Sequence, residues 1–144
     1  MLTPIWAMRA LLVGVRRITI LKTLNRYAYY GFGAVFSAGS DPDVFALDLQ
    51  RLQASGEIGG ARFIFAAGMA PPGQGPNNQF LSEALQVERQ TGNTVLRGLA
   101  SPEQARGAVQ EVANLHIPFI KLWVDDRGGS QEKLRPDIYR AAIA

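Results

Sequence analysis

One lysine stands where a lysine is costly to place. Lys121 lies within Ile117-Pro-Phe-Ile-Lys-Leu-Trp-Val124, a run otherwise without charge. If that run is a strand, alternation sets Phe119, Lys121 and Trp123 on one face and Ile120, Leu122 and Val124 on the other. An ammonium among apolar neighbours loses hydration, so it must find a counterion, reach water or give up its charge. A neutral amine held there is a nucleophile. It is open to Schiff-base formation, or to carboxylation by carbon dioxide, which would make it a two-oxygen anionic ligand for metals. The plainer outcome is a lysine whose stem covers apolar surface while its head reaches Asp125 or Asp126 just beyond the run.

The other reactive residue types are more easily explained. Asp125 and Asp126 are adjacent, and neighbouring side chains on an extended chain point apart. They are expected in a solvated loop, one of them fixing a neighbouring arginine. Ser40 and Asp41 follow an earlier apolar run; Asp41 is expected to cap a helix, and no histidine base accompanies Ser40. His116, the single histidine, is expected near a helix C-terminus, where a cation satisfies carbonyls. The chain contains no cysteine, which excludes disulfide frameworks, thiolate zinc sites and cysteine nucleophiles. The stretch Gly68 to Asn78 is rich in glycine and proline but lacks the Lys-Ser or Lys-Thr ending of a phosphate-cradling loop. It reads as a lid or a connector. Gly31-Phe-Gly33 precedes a strand instead of following one and fails as a dinucleotide fingerprint. Tyr27, Tyr29 and Tyr30 are expected to pack in a core or interface.

The elements that would position these residues are marked by punctuation. Ile18 to Tyr30 reads as a helix with Leu21, Leu24 and Ala28 on one face and Gly31 as its stop. Gly33 to Ala38 and Ala61 to Ala67 are short apolar runs of strand length, and Ile117 to Val124 is the third. Between them, Asp41-Pro42 should start a helix carrying Phe45, Leu49 and Leu52, and Phe80 to Gln90 a second. Ser101-Pro-Glu-Gln104 has the form of a capping box, opening a helix with Ala105, Ala108, Val109 and Val112 inward. A last helix begins at Leu134-Arg135-Pro136-Asp137, with Leu134, Ile138 and Ala142 facing in.

Strands without alternation, separated by helices, describe parallel βαβ units. Either an open doubly wound sheet or part of a (β/α)8 barrel satisfies that order. Three strands leave two apolar edges open, and the last helix runs to Ala144 without a stop signal, so a barrel excerpt is expected.

Composition bounds the function. The 144 residues have 47% hydrophobic and 19% charged character and a net charge of +3, enough for one buried core. The basic residues are scattered, with Arg16-Arg17 the only adjacent pair, so no nucleic-acid surface is expected. The apolar stretch Ile5 to Val15 is interrupted by Arg9 and is too short to span a membrane, which needs about 20 residues. Residues 1–17 read as a helical leader with no targeting value, and residues 18–144 as one incomplete barrel segment.

The stretch Phe119-Ile-Lys-Leu-Trp-Val-Asp-Asp-Arg-Gly-Gly129, followed by Leu134, Pro136, Ile138 and Tyr139, resembles the fourth strand-to-helix passage of the metal-dependent amidohydrolase superfamily. Its nearest likeness is to the branch of imidazolonepropionase-like and prolidase-like enzymes. Tyr30 to Asp41 is similar to that branch's second strand, Ala61 to Gly68 to its third, and Ser101 to Gln104 to the helix start before its lysine strand. The resemblance implies an α/β fold: a partial (β/α)8 barrel of three parallel βα units, about strands 2 to 4. It implies a divalent metal pair, zinc being the expected ion, and a metal-activated water that attacks the C–N bond of a small amide, cyclic amide or dipeptide. Lys121 would be the carboxylated lysine bridging the metals. Ser40, Asp41, Trp123, Asp125 and Asp126 would lie at the substrate mouth.

The family's histidine and aspartate ligands have no counterpart in this chain, so the chain alone is expected to hold no metal and to be inactive. Two other classes fit the residues. One is a non-catalytic α/β module that binds partners or copies of itself through its open sheet edges. The other is an enzyme using Lys121 as a Schiff-base amine.

Overall fold

The computed structural model describes residues 18–144, so the expected leader over 1–17 lies outside the described residues. Helix α1 covers 18–29. The chain then runs β1 (Ala34–Ala38), α2 (Asp43–Ala54), β2 (Arg62–Ala70), α3 (Asn78–Thr91), β3 (Leu96–Gly98), α4 (Pro102–Asn114), β4 (Ile120–Leu122) and α5 (Pro136–Ile143). The strands form one four-stranded sheet in which β2 is hydrogen-bonded to β1, β3 and β4. β3 and β4 both run parallel to β2. The α/β order and the three expected strands are present, and β3 is additional.

β2 extends through Gly68, Met69 and Ala70 instead of ending at Ala67 as the sequence suggested. Those residues pair with Leu96 to Gly98 on one neighbour, and Ala67 to Met69 pair with Ile120 to Leu122 on the other. Ala67 N donates to Phe119 O and Trp123 N to Met69 O, whereas Leu99 N donates to Ala70 O. Peptide groups of alternate residues face opposite sides of a strand, so β3 and β4 occupy opposite edges of β2. Ala66, Ala67 and Gly68 are small enough for this, and Phe65 through Ala70 are all buried. β4 is shorter than the apolar run predicts, because Pro118 has no amide proton to give and His116 adopts a left-handed φ of 58°.

The described residues fall into two compact units. The first comprises 18–36 and Leu47–Ile64. Within it, Leu24, Leu49, Leu52, Ala61 and Phe63 are buried. Ala61 N donates to Leu24 O at 3.0 Å, and a Cβ on Gly60 would stand 2.9 Å from the Leu24 carbonyl carbon. Gly60 also has a φ of +97°, so both the close approach and the turn need glycine. Gln53 grips β2 with its whole amide, donating to Ala61 O at 2.9 Å and accepting from Phe63 N at 2.8 Å. Tyr29 and Tyr30 are exposed and stack edge-to-face on each other, and Tyr27 meets Phe32 in the same manner. The expectation that these tyrosines enter a core is therefore corrected: Gly31 turns the chain just after them, and they stay on the surface.

The second unit comprises Ser37–Ala46 and Phe65–Ala144. Its core joins Phe65 and Met69 to Val95, Leu99, Ala105, Val112, Ile117, Leu134, Ile138 and Ala142. Two helices here begin on side-chain caps. Asn77 Oδ1 accepts from Phe80 N at 2.7 Å for α3, and Ser101 Oγ accepts from Gln104 N at 3.2 Å for α4. Gln104 closes the expected box one residue early, accepting from Ala100 N. The stretch after α4 ends differently from expectation: His116 is exposed, and its backbone N–H, not its ring, satisfies Ala113 O.

Candidate functional site

Parallel strands bring the residues that follow them to one end of a sheet, and the end of β1 meets β4 at Lys121. Lys121 is half-buried and stands in register with Gly68. Gly39, the residue after β1, touches both. A Cβ on Gly39 would lie 2.8 Å from Lys121 Cβ and 3.1 Å from Gly68 Cα. A Cβ on Gly68 would collide with Gly39 O. The missing side chain of Gly68 therefore leaves room for the Gly39 turn, and that of Gly39 leaves room for the lysine stem.

The head of Lys121 rests on an aromatic face. Its Nζ is 4.4 Å from the Trp123 ring centroid, and Arg127 Cζ approaches the same ring at 5.6 Å. Lys121 and Trp123 share a face as alternation predicts. The Trp123 Nε1 atom is buried and has no hydrogen-bond partner. Both aspartates that were candidate counterions for Lys121 are engaged elsewhere. Asp125 pairs with Arg127 Nε at 3.3 Å, and Asp126 pairs with Lys133 Nζ at 3.2 Å while accepting from Gly128 N. The Lys133 hydrogen bond holds the Asp126 carboxyl below the usual aspartate range, and Lys133's charge and the Gly129 and Gly128 amides act in the same direction. Among the described residues no ion pair includes Lys121.

Ser40 is exposed, with its Oγ 3.2 Å from Ser37 Oγ. Asp41 is half-buried and does not cap α2. The helix begins at Asp43, and Pro42 O accepts its first helical amide from Ala46 N. Asp43 itself forms the feature that sequence reasoning missed. Its backbone N donates to Thr94 O at 3.0 Å, and its carboxylate accepts from Arg97 Nη2 at 2.6 Å. Arg97 Nη2 also reaches Glu111 Oε1 at 2.8 Å. Asp43 is 2% and Arg97 7% exposed, so this is a buried ion pair with one partly solvated arm. Burial pushes the Asp43 carboxyl upward, more than the Arg97 hydrogen bond and charge draw it down. Burial acts to lower Arg97, but its hydrogen bonds to Glu111 and Asp43 outweigh this and hold it above the ordinary arginine value.

Among the described residues no group of three or more His, Cys, Asp or Glu lies close enough to hold a metal ion. No helix among them is long and apolar enough to cross a membrane. The described residues thus do not by themselves assemble the ligand set of a metal pair.

No protein-family model and no curated protein matches the chain. Solved structures do. A prolidase complexed with N-methylphosphonate-L-proline shares 18% identity over 90% of this chain and 33% of its own, with a TM-score of 0.62. An amidohydrolase shares 16% identity over 91% and 34% of the two chains, with a TM-score of 0.63. An uncharacterized protein gives 16%, 90%, 32% and 0.60. At such identities the likeness is one of fold. The chain spans about a third of the length of these solved chains, and its α/β architecture is that of part of a (β/α)8 barrel.

Proposed function

We propose that this chain is the lysine-bearing segment of a metal-dependent hydrolase acting on the C–N bond of an amide, cyclic amide or dipeptide. Lys121 is the residue on which the reading rests. The observation that carries it is the placement of that side chain at the meeting of β1, β2 and β4, with its head on Trp123 and no carboxylate beside it. No ion pair among the described residues ties that head down, so the side chain is sterically open to carbon dioxide.

The ammonium first yields a proton to water. The freed nitrogen lone pair then forms an N–C bond to carbon dioxide while a C–O π pair moves onto oxygen, and a second nitrogen proton leaves to solvent. The product is a carbamate with two donor oxygens, one ligand of the metal pair the reading calls for. The metals, zinc in this reading, would supply the activated water, and the remaining ligands must come from outside the described residues. Asp125, Asp126, Ser40 and Asp41 would face the substrate mouth, since they follow strand ends. The prolidase neighbour's complex with a proline-bearing phosphonate supports a small substrate with a C–N bond next to an amino acid.

Carbon-13 bicarbonate tests the lysine directly. A carbamate carbon resonance in the wild-type chain, absent in Lys121→Ala, is the expected result. Co-expression with a polypeptide supplying the remaining barrel strands should give metal-dependent dipeptide hydrolysis that Lys121→Ala abolishes. Borohydride trapping of a carbonyl compound on Lys121, with no carbamate, would replace this reading with a Schiff-base enzyme.

A further inference from the structure

We infer that Gly39 and Gly68 are positioning residues for Lys121, an assignment whose functional meaning rests on the reading above but whose geometry does not. Gly39 has a φ of +81°, a conformation side chains rarely adopt, and it turns the chain immediately after β1. That turn lays its backbone against the Lys121 stem, where an added Cβ would stand 2.8 Å from Lys121 Cβ and 3.0 Å from Cγ. The first of these atoms is bonded to the β4 backbone and cannot swing aside like the end of a flexible side chain. Gly68, in register with Lys121 on the neighbouring strand, admits that turn, because any side chain there would drive into Gly39 O and push it out of place.

The lysine is therefore confined near its root by the Gly39 backbone, which Gly68 lets approach, and supported at its tip by the Trp123 ring, 4.4 Å from Nζ. Of its four side-chain methylenes, the first two have little lateral freedom. A long flexible amine ordinarily loses much rotamer entropy on being fixed. Here the fixing is done by the strand tips before any ligand arrives, which places the nitrogen reproducibly. Neither glycine is chemically reactive, and each acts only through the lysine.

The test reads the position of the amine, not the stability of the fold. In the wild-type chain the Lys121 ε-methylene protons should resonate upfield, shielded by the Trp123 ring. Gly39→Ala should remove most of that displacement. Gly31→Ala is the control, because Gly31 has a similar φ of +85° with open space around a Cβ, so it carries the backbone strain without the contact. Its Lys121 signals should stay in place. Equal Lys121 shifts in Gly39→Ala and wild type would overturn the inference, as would equal movement in both variants.

If Gly39→Ala does not fold, the wild-type chain still decides. Nuclear Overhauser contacts from the Gly39 α-protons to the Lys121 β- and γ-protons, and between the Gly39 and Gly68 α-protons, are required, and their absence sinks the assignment. Failure of the carbamate experiment with these contacts present would reject the hydrolase reading and leave the positioning role standing.

Discussion

Two cationic side chains lie within the same unit of this protein, and their surroundings differ in almost every respect. Arg97 is buried, bonded through one nitrogen to both Asp43 and Glu111, and held charged. Lys121 is half-buried, meets no carboxylate, and leans on Trp123. The first charge is consumed by structure: it joins the start of α2 to β3 and α4. The second is available. A buried charge locked between two carboxylates is poor ground for chemistry, even with Asp43 Oδ1 and Arg97 Nε and Nη1 lacking partners, whereas a lysine with a shaped path and no ion pair among the described residues is better ground.

The comparison breaks most easily at Asp43. Asp43→Ala leaves Arg97 without its buried partner and should cost about 3–5 kcal/mol in chemical denaturation, since an uncompensated interior charge remains. A loss below about 1 kcal/mol would show that water or Glu111 alone can serve Arg97, and the contrast with Lys121 would lapse.

A smaller effect comes from pH. The Asp43 carboxyl is raised above its unfolded value of 3.8, so the folded state holds that proton more tightly. Its contribution to stability is complete below about 3.8 and is lost as pH rises through the raised folded value. Asp126 and Asp137 are lowered by Lys133 and Arg135, so their contributions exist above 3.8 and are lost as pH falls through the lowered values. These two are exposed and screened by salt. The melting-temperature advantage of wild type over Asp43→Asn should therefore shrink as pH rises above about 3.8, while the loss of stability on acidification, which the variant shares, is flattened by added salt. An advantage that grows with pH would reverse the assignment.

The smallest change belongs to Lys121→Met, which keeps the length of the stem. It removes only the contact with Trp123 and should alter stability by no more than about 1 kcal/mol. A loss as large as that of Asp43→Ala would make Lys121 a structural lysine.

The legible parts of this fold were those written in local pattern. The runs at Gly33 to Ala38, Ala61 to Ala67 and Ile117 to Val124 are apolar, short and bounded by glycine or proline, and each contains a strand of the sheet. Ser101 and Pro102 mark their helix start by type alone. β3 escaped because Arg97 and Gly98 break its apolar pattern, although Arg97 belongs in the sheet once Asp43 covers its charge. The end of β2 escaped because Gly68 reads as a loop residue until a second strand is seen close against it. Lys121 was conspicuous by its type within an apolar run. The Asp125–Arg127 pair, being local, was legible too, but the glycines beside Lys121 were not assignable, because neighbours from three strands meet only in three dimensions.

The link between Asp43 and residues 94–97 also sets an order of events. The amide and the carboxylate at the front of α2 find their partners roughly fifty positions further along the chain, with 54 residues separating Asp43 from Arg97. A growing polypeptide that has not yet emitted Thr94 must leave that first turn frayed, whatever the propensity of the rest of the helix. Deuterium uptake at the Asp43 amide thus reports whether β3 has arrived, and a chain cut before residue 94 should exchange there at the pace of open coil.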